Sequence, residues 1–243
     1  MRLFGLIGYP LSHSFSKKYF TEKFEKEGLK DCSYELFSIA SINELKNVLE
    51  QNPSLCGLNV TIPYKEQVLS FLHEKDTIVK KIKACNCISV KNGKLSGHNT
   101  DATGFERSLK DQLKPHHLKA LILGAGGAAK AVEFVLRNLE INFKYVSRKP
   151  SVNNYSYEQL TSSIITDHTL IINTTPLGMY PKTNEAPPIP YEALTPHHYL
   201  FDLVYNPERS LFLQKGQDKG AAIKNGYEML VIQAEESWKI WNE

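Results

Sequence analysis

The segment LILGAGGAAKAV, Leu121 to Val132, constrains the fold of this chain more than any other. An apolar run ends at a glycine-rich turn, and an alanine-rich helical pattern starts at once. Gly124, Gly126 and Ala129 fall in a G-x-G-x-x-A spacing. Gly124 permits the tight turn, Gly126 lets the backbone approach a pyrophosphate, and Ala129 lets helix and strand pack closely. The start of that helix offers free N–H groups and the positive end of its dipole to phosphate. A glycine pattern alone carries little weight. Placed between a strand and a helix, it reads as a dinucleotide-binding turn.

The next strand bears on which dinucleotide. An NAD site usually carries Asp or Glu about 20 residues on, to bind the ribose 2′-hydroxyl. Here YVSRKPS puts Ser147, Arg148 and Lys149 at that strand end. No acid is present there to repel a 2′-phosphate, and two cations can bind it. The plain alternative is a solvated basic turn. The expectation is NADP(H) rather than NAD.

The same alternation runs through the chain. RLFGLIG, SYELFSI and LCGLNVTI read as strands, separated by helical segments SFSKKYFTEKFEKEG and SINELKNVLEQN. Ser41 and Glu44 form a capping box, and Pro63 fits the first turn of a helix behind the third strand. CNCISV, KNGK and LSGHN read as a hairpin turning at Asn92-Gly93. TDATGFERSLKDQL reads as a helix, KPHHLK as a linker and GMYPKTNEAPPIPYEALTP as loop. TLIINTTP and YLFDLVYN have the continuous apolar character of strands covered on both faces. The class is therefore α/β with largely parallel sheets. At 243 residues there is room for one large or two modest domains.

Charge excludes some partners. A net charge of +3, from 29 basic and 26 acidic residues, points to neither nucleic acid nor membrane. No run reaches the roughly 18 apolar residues of a membrane span, and the N-terminus reads as a first strand, not a targeting segment. Cys32, Cys56, Cys85 and Cys87 lack C-x-x-C spacing or a companion His pair, so no metal site is expected. Small buried thiols in a reducing cytoplasm fit better.

The N-terminal half holds an unusual polar set. Asn59 and Thr61 lie two apart on a strand, and Lys65 follows its end. Ser12, Ser14 and Ser16 precede and open a helix, where hydroxyls and N–H groups suit a carboxylate or simply cap the helix. Asn86 interrupts an apolar run. Asp101 sits at a helix start, where an N-cap or first-turn acid is the plain reading. Near the C-terminus, Leu230, Ala234, Trp238 and Trp241 share an apolar stripe, with Met229 and Gln233 beside it.

With GYPLSHSFS, NVTIPYKE, ACNCIS, GHNTDATGF, LGAGGAAKA, NTTPLGM, DLVYNP and GYEMLVIQAEESWKIW in this order, the chain resembles the shikimate dehydrogenases from Gly5 to Trp241. The resemblance implies two α/β domains with a cleft between them. An N-terminal substrate-binding domain would span 1–100, with the helix 226–243 packing back on it. A connecting helix and linker would span 101–118, and a Rossmann-like NADP-binding domain 119–225. It implies NADPH-dependent, reversible reduction of 3-dehydroshikimate to shikimate in aromatic amino acid biosynthesis, by a cytoplasmic monomer or homodimer.

The resemblance also implies roles. Ser14 and Ser16 would hold the substrate carboxylate, with Tyr205 helping. Thr61, Asn86 and Gln233 would bind ring hydroxyls. Lys65 and Asp101 would be the catalytic pair, with Lys65 alone or the pair as proton donor. Gly124, Ala125, Gly126, Gly127, Ala128 and Ala129 would form the pyrophosphate turn, and Thr174 and Met179 would line the nicotinamide side. Rival readings are a quinate or aminoshikimate dehydrogenase of the same fold, a non-catalytic dinucleotide sensor, and a methyltransferase that uses the glycine turn for S-adenosylmethionine. Lys65, Asp101 and Gln233 together disfavour the sensor, and Arg148 and Lys149 disfavour the methyltransferase.

Overall fold

A computed structural model of the chain describes residues 1–11, 14–148 and 154–243. The chain divides into two compact units, Met1–Thr103 with Leu230–Glu243, and Gly104–Met229. The divisions fall inside two helices.

The first unit begins β1 (Arg2–Gly8), α1 (Phe15–Lys26), β2 (Cys32–Ser38), α2 (Leu45–Gln51), β3 (Leu55–Val60). It continues β4 (Glu74–Lys75), α3 (Thr77–Ile82), β5 (Cys87–Lys91), β6 (Lys94–His98) and enters α4 (Thr100–Lys110). Its sheet has the order β2-β1-β3-β5-β6-β4. β1 pairs in parallel with β2 and β3, whereas β5 runs antiparallel to β3 and β6. The reversal comes from the expected hairpin, where Asn92 and Gly93 both take positive φ, as a type I′ turn requires.

β1 is buried on both faces, and its side chains alternate between two cores. Leu3 and Ile7 join Val48, Leu58 and Ile88. Phe4 and Leu6 join Phe20, Phe24, Tyr34 and Trp241. The Trp241 ring stacks on Phe4 at 4.9 Å, and its indole N–H donates to the Ile88 carbonyl at 3.0 Å. The aromatic stripe thereby fixes the final helix to the sheet.

The second unit holds β7 (Lys119–Leu123), α5 (Gly127–Asn138), β8 (Asn142–Val146), β9 (Asn154–Tyr155), α6 (Ser162–Asp167) and β10 (Leu170–Asn173). β11 (Tyr199–Asp202), α7 (Leu211–Gln217), β12 (Ala222–Lys224) and the start of α8 (Tyr227–Asn242) complete it. Its sheet, β12-β11-β10-β7-β8-β9, is parallel throughout. Every residue of β10 and β11 is buried, so their unbroken apolar runs follow from burial on both faces.

Two expectations change. No α-helix follows Pro63. Residues 61–66 form turns, and a single 3₁₀ turn covers Gln67–Ser70. The Lys65 carbonyl, which a helix would offer to residue 69, accepts instead from Cys85 N at 2.8 Å, and Leu69 N turns to Glu66. Of the four cysteines, all free, only Cys85 and Cys87 are buried. Cys32 opens the edge strand β2 and Cys56 lies on a less covered position of β3, so both are partly exposed.

Candidate active site

Lys65 and Asp101 are brought together from opposite ends of a 36-residue separation. Lys65 Nζ lies 2.7 Å from Asp101 Oδ2, with the side chains 17% and 6% exposed. Each partner is fixed by its own neighbours. Tyr64, beside Lys65, is buried, and its hydroxyl donates to the Ile39 carbonyl at 2.6 Å. The adjoining turn is closed by Tyr64 N to Thr61 O at 2.9 Å, and Thr61 N donates to Ile7 O at 2.9 Å. Asp101 stands in the first turn of α4, whose start Asn99 caps by accepting from Ala102 N at 3.1 Å. Both readings of Asp101 therefore hold: it is a first-turn acid and also the partner of Lys65. An ion pair with one member near solvent can exchange a proton with a bound group and recover it from water.

Asn86 is 5% exposed. Its Oδ1 accepts from Thr100 N at 2.7 Å, and its Nδ2 donates to Thr100 Oγ1 at 3.0 Å. The amide thus clamps the residue preceding Asp101, and each of its polar atoms keeps one further hydrogen-bonding position.

A second neutral network centres on Asn59. Its Oδ1 accepts from the Tyr34 hydroxyl at 2.8 Å, and its Nδ2 donates to Ser237 Oγ at 2.9 Å. Ser237 Oγ donates in turn to the Gln233 carbonyl at 2.8 Å. The Ser16 hydroxyl hydrogen-bonds Tyr34, whose own pKa burial pushes far up. Asn59 therefore joins the supports of Ser16 on α1 and Gln233 on α8. Tyr34 and Ser237 carried no functional signal in the sequence; a lone Asn inside LCGLNVTI was the available clue. Ser14 caps α1, accepting from Lys17 N at 3.4 Å, so the capping alternative is realised for it. Ser12 lies outside the described residues.

In the second unit the glycine turn links β7 to α5. Gly124 takes φ +105°, and a Cβ there would come within 2.7 Å of Thr174 Oγ1. Only glycine tolerates both the conformation and that approach. Thr174 is held there by donating to the Leu123 carbonyl at 2.8 Å. Gly126 caps α5 without a side-chain hydrogen bond, and a Cβ at Gly126 or Gly127 would meet nothing within 4 Å. Ala125 is exposed, Ala128 partly exposed and Ala129 buried against the sheet. Open space before the N-terminus of a 12-residue helix fits a pyrophosphate.

At the end of β8, Ser147 N donates to the Tyr155 carbonyl at 3.0 Å. Arg148 is exposed and near Tyr157, whose hydroxyl burial pushes up and the Arg148 charge partly brings back down; Lys149 lies outside the described residues. Met179 is exposed on the loop after β10, and Tyr205, partly buried with its pKa raised by that burial, follows β11. Among the described residues no group of three side chains could hold a metal, and no helix is long and apolar enough to cross a membrane.

Residues 6–88 match the family model of the shikimate dehydrogenase substrate binding domain. The chain is 34% identical to a shikimate dehydrogenase (NADP(+)) of Desulforamulus reducens, over 98% of this chain and 88% of that protein. Its fold is similar to a shikimate 5-dehydrogenase from Thermus thermophilus solved with NADP(H) and shikimate, at TM-score 0.87 and 30% identity, covering 99% of this chain and 93% of that one. It is also similar to a 5-ketofructose reductase from a Gluconobacter strain, at TM-score 0.86 and 27% identity, covering 99% and 92%.

Proposed function

The chain belongs to the shikimate dehydrogenase family, and we propose from that premise that the Lys65–Asp101 pair handles the proton in its reaction. The protein is an NADP-dependent oxidoreductase that interconverts 3-dehydroshikimate and shikimate, in the pathway to chorismate and the aromatic amino acids. The single observation that carries the proton assignment is the 2.7 Å contact between a nearly buried carboxylate and a lysine that water can reach.

NADPH, when bound, supplies the hydride to the ring carbonyl carbon. The carbonyl oxygen then gains negative charge and needs a proton. Lys65 stabilises that charge and donates the proton from Nζ. Asp101 orients the ammonium and accepts from a ring hydroxyl. In the reverse direction Lys65 Nζ takes the hydroxyl proton. The donor is best described as the pair, since Asp101 Oδ2 holds the Lys65 ammonium at 2.7 Å.

We assign the first unit to substrate and the second to cofactor. Ser14 and Ser16 hold the carboxylate, assisted by Tyr205. Thr61, Asn86 and Gln233 take the ring hydroxyls. The backbone of Gly124–Ala129 takes the pyrophosphate, Ser147 and Arg148 the adenosine 2′-phosphate, and Thr174 and Met179 face the nicotinamide. Four free thiols fit a reducing, cytoplasmic setting for a monomer or homodimer.

The test is NADPH formation with shikimate and with quinate, each with NADP and NAD. Turnover confined to shikimate and NADP is expected. Comparable turnover with quinate, or with a ketose in the direction of reduction, would move the substrate assignment to a sibling activity such as that of the Gluconobacter neighbour.

A further inference from the structure

Asp202 is wholly buried, and the reaction just described makes no use of it. It ends β11, and in the sheet it sits directly beside Asn173, which ends β10. Asn173 and Ser210 are also wholly buried. The Asp202 carboxylate accepts from Asn173 Nδ2 at 3.0 Å, from Val204 N at 3.0 Å and from the Ser210 hydroxyl. Every one of these partners is a neutral donor. Among the described residues the other titratable side chain near it is Tyr191, whose hydroxyl donates to the Pro187 carbonyl.

The two loops that leave these strands are built on this cluster. Asn173 Oδ1 accepts from both Thr175 N and Thr175 Oγ1, at 3.0 and 2.6 Å, and Asn173 Nδ2 also reaches the Leu177 carbonyl. Gly178 takes φ +88° in the loop after β10, and a Cβ on it would meet the Glu185 carbonyl at 3.0 Å and lie in ordinary contact with the Ser210 side chain at 3.4 Å. The backbones are tied as well. Leu203 N donates to Asn173 O, and Tyr180 N donates to Asn206 O. One loop carries Thr174 and Met179, and the other carries Tyr205.

We propose that Asp202 is a positioning residue for the reaction, locking the Thr174–Met179 loop to the Leu203–Asn206 segment so that Met179 and Tyr205 are presented together. This rests on the assignment of those residues to cofactor and substrate. Protonation of Asp202 removes the charge that strengthens all three hydrogen bonds, and its new O–H either displaces a donor or turns the Ser210 hydroxyl round to accept, so the lock would loosen. Burial pushes the Asp202 carboxyl up to about 6, while Ser210, Val204 and Asn173 hold it down from a higher value. The lock is therefore closed above that pH and opens below it.

The test measures kcat/KM for shikimate oxidation from pH 5 to 9 in wild type, Asp202→Asn, Ser210→Ala, Met179→Ala and Tyr205→Phe. The 2′-phosphate of NADP titrates near the same pH, so the readout is the shift of the acid limb between variants. Asp202→Asn should lower kcat/KM at pH 8 by roughly 10- to 100-fold and lose the part of the acid limb due to this group. Ser210→Ala removes a donor to the carboxylate, so its acid limb should move to higher pH; it serves alone if Asp202→Asn does not fold. If both network variants lower only the melting temperature, while Met179→Ala and Tyr205→Phe raise KM, the lock is refuted and the loop assignment stands. If Met179→Ala and Tyr205→Phe change nothing, the loop assignment falls and takes the lock with it.

Discussion

The two units build their sites in opposite ways. The first presents charge, Lys65 with Asp101, and backs it with neutral groups: Asn86 on Thr100, and Tyr34, Asn59 and Ser237. The second presents uncharged backbone at its glycine turn, and it is the supporting cluster that holds the carboxylate, Asp202. A neutral cluster whose partners are all satisfied keeps its hydrogen bonds at any working pH. A buried carboxylate costs free energy when charged, and it can be switched. The neutral backing of the first unit should therefore respond to mutation and hardly to pH, and the carboxylate cluster of the second to both.

The largest effect is expected where charge meets substrate. Lys65→Ala removes the proton donor and leaves Asp101 unpaired. It should lower kcat by roughly 10²- to 10⁴-fold, with little change in shikimate KM. Steady-state kinetics at saturating NADP checks this, and near-normal turnover would return Lys65 to an ordinary ion pair.

Stability against pH comes next; Asp76 and Glu235 of the first unit, raised by burial but lowered on balance by hydrogen bonds, also contribute, so the difference between wild type and one variant isolates Asp202. Asp202 is raised from 3.8 to about 6, so the folded state binds the extra proton. That favours folding as pH falls through 6 and is lost as pH rises past it. His117, buried and next to His116, Lys114 and His198, is lowered from 6.5 to about 4. The unfolded state then binds more protons, so this group costs stability as pH falls from 6.5 towards 4. At about 1.4 kcal/mol per pH unit, each contributes up to about 3 kcal/mol and the two oppose. Asp202→Asn removes only the first. Urea unfolding between pH 7 and 4.5 should therefore show a steeper acid loss in this variant, by about 2 kcal/mol. An unchanged slope would show that Asp202 is not the buried charge of this unit.

Gly124→Ala tests the uncharged half of the comparison. A left-handed non-glycine residue costs roughly 1–2 kcal/mol, and the new Cβ would also press on Thr174 and Thr175. NADPH affinity, followed by its fluorescence, should fall by about tenfold, a loss of about 1.4 kcal/mol. Shikimate binding in the first unit should change less than twofold, by order of magnitude within ordinary surface-mutation scatter. Equal losses for both ligands would mean that the turn is a general scaffold.

The sequence made the presented groups far more legible than the clusters behind them. The glycine turn, the Asn92-Gly93 hairpin, the Ser41 capping box and the aromatic stripe of α8 all carry local rules, and each formed where those rules put it. The helix expected after Pro63 did not form, because Cys85, twenty residues away in sequence, took the Lys65 carbonyl. α6 and α7 are too short for a periodic pattern, and Gly216 interrupts the second. Tyr34, Asn59 and Ser237 come from three elements, and nothing local joins a tyrosine on β2 to a serine on α8. Asn173 and Asp202 left one trace, a polar residue closing an apolar strand. That trace reads equally well as an ordinary strand end.

The smallest effect expected is the one that most directly tests the neutral cluster. Tyr34→Phe keeps the ring, stacked on Phe20 at 4.8 Å, and removes only the hydroxyl. Asn59 Oδ1 then loses a buried donor, at a cost of roughly 1–2 kcal/mol in stability. Ser16 loses its neighbour, so shikimate KM should rise several-fold, roughly three to ten, with kcat within about twofold. No proton moves in this cluster, so the KM ratio of variant to wild type should be the same at pH 6 and pH 8. A ratio that changed between those pH values would tie the cluster to a titrating group, and the contrast between a neutral and a charged support would fail on the side of the first unit.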